Sequence, residues 1–228
     1  MIKRIKEYGK KEPCRDAHKI YIVCEGKETE PAYFSFFKNC SSNLEIIAIP
    51  PTVGTDTLKL LDNAKEKLLG EHKSYNVDYA HGDTVWFTFD TDLNEKEGKI
   101  SPLREFCNSM NAEIKSADNV KPYIAWNVAE SNPSFEVWLY YHFYNEKPSD
   151  EEVETYQSFK DFVNSKIVGG FNFQKDPAHL ERAITYATPF MQKKGDVLSK
   201  YATEMITLGT EILGFTKKEL DKIKNKLG

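Results

Sequence analysis

Apolar positions along the chain fall into short dense runs separated by segments of helical period. The first run, Ile20–Cys24, reads as a strand, and it stops at Glu25-Gly26. Glu30–Asn39 follows as a helix with Pro31 in its first turn, where a missing N–H costs nothing. "LEIIAIP" (Leu44–Pro50) is a second strand. After it comes a helix capped by Thr55 or Asp56, with Leu58, Leu61, Ala64, Lys65 and Leu68 at helical spacing. "TVWFTFDTD" (Thr84–Asp92) is a third strand, apolar or β-branched until it meets its acids. Ser101–Ala117 has a capping serine, a proline at the first helical position and an apolar stripe. "KPYIAWNVA" (Lys121–Ala129) is a fourth strand, and "NPSFEVWLYYHF" a helix with Ser131 or Asn132 as cap and Pro133 at its first position.

Four strands alternating with helices predict right-handed βαβ units and a mostly parallel sheet covered on both faces. Beyond Tyr144 the pattern predicts helices only, at about 150–165, 177–193, 200–213 and 216–226, with Gly169-Gly170 in a loop. The expected organisation is a basic N-terminal extension (1–18), an α/β domain (19–145) and an all-helical C-terminal subdomain (146–228).

Composition adds little to this until the charge is divided along the chain. The net charge of −4 excludes a protein that coats nucleic acid by overall positive charge. Residues 1–19 carry seven Lys/Arg against three acids, and residues 193–228 eight against five, so the middle of the chain holds a net −11. Two readings follow: ends that meet a polyanion or a centre that holds metal ions, against lysine-rich ends that are simply solvated. No apolar run is long enough to span a bilayer, and no apolar core follows the lysine-rich start, so a cytoplasmic protein without membrane contact is expected. Cys14, Cys24, Cys40 and Cys107 show no CxxC spacing and read as reduced thiols, which fits that compartment.

The acids at strand ends carry the chemistry. In open parallel sheets, ligands bind outside the carboxyl ends of the strands. Glu25 ends the first strand and Asp90 and Asp92 end the third; if these strands are neighbours, three carboxylates converge. Carboxylates that close repel each other unless a cation joins them. Hard ions such as Mg²⁺ take oxygen ligands and keep several waters, which leaves room for phosphate oxygens. Glu136, in the first turn of its helix, is explained by the helix dipole alone, yet that turn also follows the fourth strand and so approaches the same edge. His142 shares a helical stripe with Phe135 and reads as a core histidine. Phe34, Phe36 and Phe37 read as core, since no arginine is interleaved with them. Lys27, Lys166, Lys175, Lys193 and Lys194 are candidate cations that the sequence does not rank.

The blocks "VCEGKETEPAYF", "VWFTFDTD" and "SNPSFEVWLYYHF", in that order over about Ile20–Phe143, resemble the RloB-like family. Its members resemble Toprim domains, the fold shared by topoisomerases, primases and OLD-type nucleases. The resemblance implies that Glu25 is a metal ligand or a general acid or base, and that Asp90 and Asp92 are metal ligands. It also implies a further acid from the first turn, Glu30, with Glu28 as competitor. The catalytic set is then Glu25, Asp90 and Asp92, and the metal set adds Glu30 and Glu136, for one or two Mg²⁺ or Mn²⁺ ions. No tyrosine has a spacing that marks a nucleophile, so hydrolysis of DNA or RNA by activated water is the simpler mechanism. By resemblance the protein is an anti-phage effector of the abortive-infection kind, encoded beside an AAA or ABC-like ATPase. The chain has no GxxxxGK[ST] loop of its own, so any ATP dependence must come from that partner. A catalytically degenerate regulatory subunit that docks the ATPase is the alternative, nucleotidyl transfer is a third reading, and self-association stays open.

Overall fold

The computed structural model describes residues 16–52, 57–91, 98, 100–115 and 123–227. Its centre is a four-stranded, all-parallel sheet of β1 (His18–Cys24), β2 (Leu44–Ile49), β3 (Thr84–Asp90) and β4 (Trp126–Ser131) in the order β2-β1-β3-β4. Strand residues alternate between two cores, which is why β1 and β3 are nearly continuous apolar runs. From β1, Ile20, Ile22 and Cys24 face one side, and Tyr21 and Val23 the other.

The second side is covered by α2 (Thr57–Ala64), its continuation as a π-helical turn (Lys65–Leu69), and α3 (Ile100–Lys115). Leu60, Ala64 and Leu68 form the buried line of that first segment, so Leu61 is flanking rather than central; the expected cap, Thr55 or Asp56, lies outside the described residues.

The first side is covered by α1 (Thr29–Ser35) and α4 (Glu136–Tyr140), and by helices from the C-terminal third of the chain. Those are α5 (Asp150–Val153), α6 (Phe159–Lys166), α7 (Leu180–Ala187) and the long α8 (Met205–Leu227). Leu208 and Ile212 of α8 share one continuous core with Ile20, Ile22 and Trp86 of the sheet.

Several expected boundaries move. The predicted helix at 150–165 is two, because Ser158 caps the second by accepting from the Asp161 N–H. The stretch expected as a helix over 177–193 is a 3₁₀ turn, α7 and a second 3₁₀ turn. The helices expected at 200–213 and 216–226 are the single α8. The C-terminal third is also not wholly helical: β5 (Lys193–Lys194) and β6 (Val197–Leu198) form a small antiparallel hairpin. Strand β4 runs on to Ser131, so Ser131 and Asn132 are not helix caps. Thr203 bridges Ser131, the Asn132 N–H donates to the Ala202 carbonyl, and the Asn132 amide donates to the Leu198 carbonyl. Pro133, after a cis peptide bond, precedes α4 by three residues rather than opening it. The N-terminal extension lies almost wholly outside the described residues.

Candidate functional site: a carboxylate cluster at the strand ends

Because β1 and β3 are adjacent, with Cys24 in register with Thr88, the residues that follow them meet at the carboxyl edge of the sheet. The Glu25 N–H donates to the Thr88 carbonyl (3.1 Å), and the Asp90 N–H donates to Glu25 Oε2 (2.8 Å). Sheet register thus sets the spacing of the two acids. Asp90 Oδ1 in turn accepts from the Phe135 N–H (2.8 Å), which draws the start of α4 onto the same edge. That brings Glu136, whose Oε2 accepts from Ser134 Oγ (2.7 Å). Glu30, in the first turn of α1, is 5% exposed, and its Oε1 accepts from the Gly26 N–H (2.9 Å). Of the two acids competing in that turn, Glu28 is exposed and Glu30 faces the cluster.

Gly26 is fixed by this packing. A Cβ built there would stand 2.1 Å from Glu30 Oε2, so any side chain displaces the carboxylate from its N–H. The turn after β1 needs glycine for close approach.

The cluster strains its own ionisation. Burial raises the Asp90 pKa well above the carboxylate range, and the charges of Glu30, Glu25 and Glu136 add to that, opposed by the Phe135 N–H. Burial likewise raises Glu30, with Glu136 and Glu25 contributing. Asp90 and Glu30 therefore feel the neighbouring acids, as expected where a cation would be welcome. The donors are all carboxylate oxygens, with no thiolate or imidazole among them, which suits a hard divalent ion. They are gathered around backbone N–H groups: no three His, Cys, Asp or Glu side chains among the described residues stand close enough to hold a metal ion as they are. Asp92 lies outside the described residues.

Among the cations named from sequence, Lys27 and Lys175 are exposed, Lys166 pairs with Glu152 (2.6 Å) and Lys193 pairs with Glu204. Sequence reasoning missed Lys160, on α6, whose Nζ lies 3.7 Å from Glu136 Oε1. It also missed a buried network directly behind the cluster. Thr91 donates to Glu130 Oε1 (2.6 Å), and Arg104 bridges Glu130 and Glu204. Glu130 was legible in one respect: it directly follows the strand expected over Lys121–Ala129, the kind of position that singled out Glu25. His142 is the core histidine expected. Its Nδ1 lies 2.9 Å from the Trp138 carbonyl and so carries the proton, leaving Nε2 to accept from Tyr33 O–H (3.2 Å). Phe34 and Phe37 are buried, and Phe36 packs against the same core.

Fold and site together define a parallel α/β protein with an acidic centre at the ends of its two middle strands. The model of the RloB-like protein family matches residues 20–212, and the chain belongs to that family. No curated protein and no solved structure matches it. Among the described residues no helix is long and apolar enough to cross a membrane.

Proposed function

We propose that the protein is a Mg²⁺- or Mn²⁺-dependent nuclease of the Toprim type that hydrolyses phosphodiester bonds in DNA or RNA. The observation that carries this reading is the meeting of Glu25 and Asp90 at adjacent strand ends, with Glu30 and Glu136 near enough to raise the Asp90 pKa. Glu25, Glu30, Asp90 and Glu136, with Asp92 from the sequence pattern, are the residues that would hold one or two ions. A divalent ion supplies an activated water and offsets charge building on the phosphate. The chain's own part is positional. The Asp90 N–H fixes Glu25, the Phe135 N–H fixes Asp90, and the Gly26 N–H fixes Glu30, so the acids are oriented by backbone before substrate arrives. Lys160 supplies a cation at the rim that can meet a phosphate oxygen.

Family membership supports the wider context: an anti-phage effector whose nuclease is released by an AAA or ABC-like ATPase partner in the cytoplasm. A second reading, a degenerate subunit that chiefly docks the ATPase, is favoured by one observation, the lack of any preformed three-ligand group among the described residues.

The test is cleavage of supercoiled plasmid and of single-stranded DNA and RNA with Mg²⁺, Mn²⁺ or EDTA, with and without the ATPase and ATP. The expected result is metal-dependent cutting that falls by roughly a hundredfold or more in both Glu25→Ala and Asp90→Ala. Wild-type protein that cuts nothing in any combination, and shows no heat of Mn²⁺ binding, would leave the docking reading standing.

A further inference from the structure

Behind the carboxylate cluster lies a set of charges that fold stability does not explain. Glu130 is 1% exposed and Thr91 is 2% exposed. The Thr91 hydroxyl donates to Glu130 Oε1, while Glu130 Oε2 accepts from Arg104 Nη2. The same Arg104 nitrogen donates to Glu204 Oε2 (2.9 Å), and Lys193 pairs with Glu204 Oε1. Main chain reinforces the pairing: the Glu204 N–H donates to the Glu130 carbonyl (2.8 Å), and the Glu130 N–H donates to Glu204 Oε2 (3.3 Å). Two acids and two bases thus balance one another. Burying such groups costs several kcal/mol each, and apolar side chains of similar volume often serve a core equally well.

What apolar residues could not supply is a fixed acceptor for the Thr91 hydroxyl. Thr91 directly follows Asp90, whose N–H holds Glu25 and whose carboxylate is held by the Phe135 N–H. Arg104 belongs to α3, the element on the other side of the connection that leaves Thr91. Glu130 is therefore tied to a residue on each side of that connection.

We infer that Glu130, held by Arg104 and Glu204, is a positioning residue that fixes Thr91 at the end of β3 and so sets the carboxylate geometry of a divalent-metal centre. The inference rests on the metal reading of the cluster and extends it to residues that touch neither metal nor substrate. Outer groups of this kind orient metal ligands, and their loss typically weakens metal affinity about 10–100-fold.

Thr91→Val removes the hydroxyl at nearly constant shape, Thr91→Ser retains it, and Glu130→Leu removes its acceptor. In metal-free protein, amide hydrogen exchange followed by NMR reads the end of β3 directly. Thr91→Val is expected to speed exchange of the Asp90 N–H by roughly tenfold or more, with Ile22 and Val23 in the centre of β1 unchanged and Thr91→Ser close to wild type. Calorimetry with Mn²⁺ is expected to show affinity weakened about 10–100-fold in Thr91→Val and Glu130→Leu, and restored in Thr91→Ser. Wild-type exchange at Asp90 together with wild-type Mn²⁺ affinity in Thr91→Val overturns the inference. So does faster exchange spread evenly over β1 and β3, which marks a structural clamp. If wild-type protein binds no Mn²⁺, the metal centre fails as a reading, and exchange at Asp90 alone still decides whether Glu130 holds the end of β3.

Discussion

At the scale of single residues, the molecule distinguishes buried polar groups that are paired from those that are held under strain. His142 is of the first kind. It is wholly buried, with both ring nitrogens engaged, and burial depresses its pKa from 6.5 to about 3, helped by the charges of Arg182 and His179. Between those values the unfolded chain binds a proton that the folded chain refuses, so stability rises with pH up to about 6.5 and is lost as pH falls below it. The slope is about 1.4 kcal/mol per pH unit, so lowering the pH from 7 to 5 costs about 2 kcal/mol from this residue. His142→Gln keeps a donor and an acceptor without the titration. Urea unfolding at pH 7 and pH 5 should show wild type losing about 2 kcal/mol more than the variant over that interval. Equal losses would mean that the ring is protonated in the folded protein. The same contrast explains what was readable beforehand. His142 announced itself by its place on an apolar stripe, and Glu25 by ending an apolar run. The partners of Glu130, by contrast, sit at positions 91, 104 and 204, and no local pattern relates them.

Elements were legible where one pattern dominated and misread where tertiary packing overruled a local signal. The four strands and their parallel direction follow from apolar runs alternating with helical segments, whereas their order does not. The end of β3 was placed at Asp92, yet the strand stops at Asp90. Helix α8 was expected as two helices with a gap after Leu213, where Gly214 costs a helix interior about 1 kcal/mol. It continues because Leu208, Ile212, Thr216 and Leu220, four residues apart, all face the core and hold both halves on one line. Glu211 on the same helix adds a polar tie that the sequence did not signal. It accepts from Thr84 Oγ1 (2.7 Å) and Trp86 Nε1 (2.8 Å) on β3, and lies 2.9 Å from His18 Nε2 on β1. Glu211→Ala leaves two buried donors of the sheet without that acceptor, and it should cost about 2–3 kcal/mol, with Glu211→Gln at about half that. Urea unfolding with near-ultraviolet circular dichroism of the tryptophans checks both the size and the site. A loss below about 0.5 kcal/mol in Glu211→Ala would mean that water replaces the carboxylate and that apolar packing alone docks the helix.

For the molecule as a whole, the decisive feature is that the two faces of the sheet are covered from different parts of the chain. One face is closed by α2 and α3, which come from the connections between strands. The other is closed by α1 and α4 together with residues after Tyr144, among them Phe162, Leu180, Leu208 and Ile212, in one cluster with Ile20, Ile22 and Trp86. The change of pattern after Tyr144 suggested a helical subdomain, and sequence periodicity reports which of its residues are buried but not against what. A fragment ending at Tyr144 keeps α1 and α4 on this face but loses the helices that cover them and the rest of the sheet. Removing α6 to α8 would expose Trp138 and Tyr141, both fully buried, along with the apolar side of β1. At about 25 cal/mol per Å² of apolar surface, uncovering these residues alone removes several kcal/mol, comparable with the whole stability of a domain this size. A fragment of residues 16–144 should therefore show poor dispersion in its proton NMR spectrum, no cooperative thermal transition and strong binding of an apolar dye. The carboxylate cluster would go with it, since Glu30 and Glu136 lie on helices packed against that same core. A fragment that melts cooperatively and still binds Mn²⁺ would show instead that the C-terminal helices are an addition to the site rather than part of its foundation.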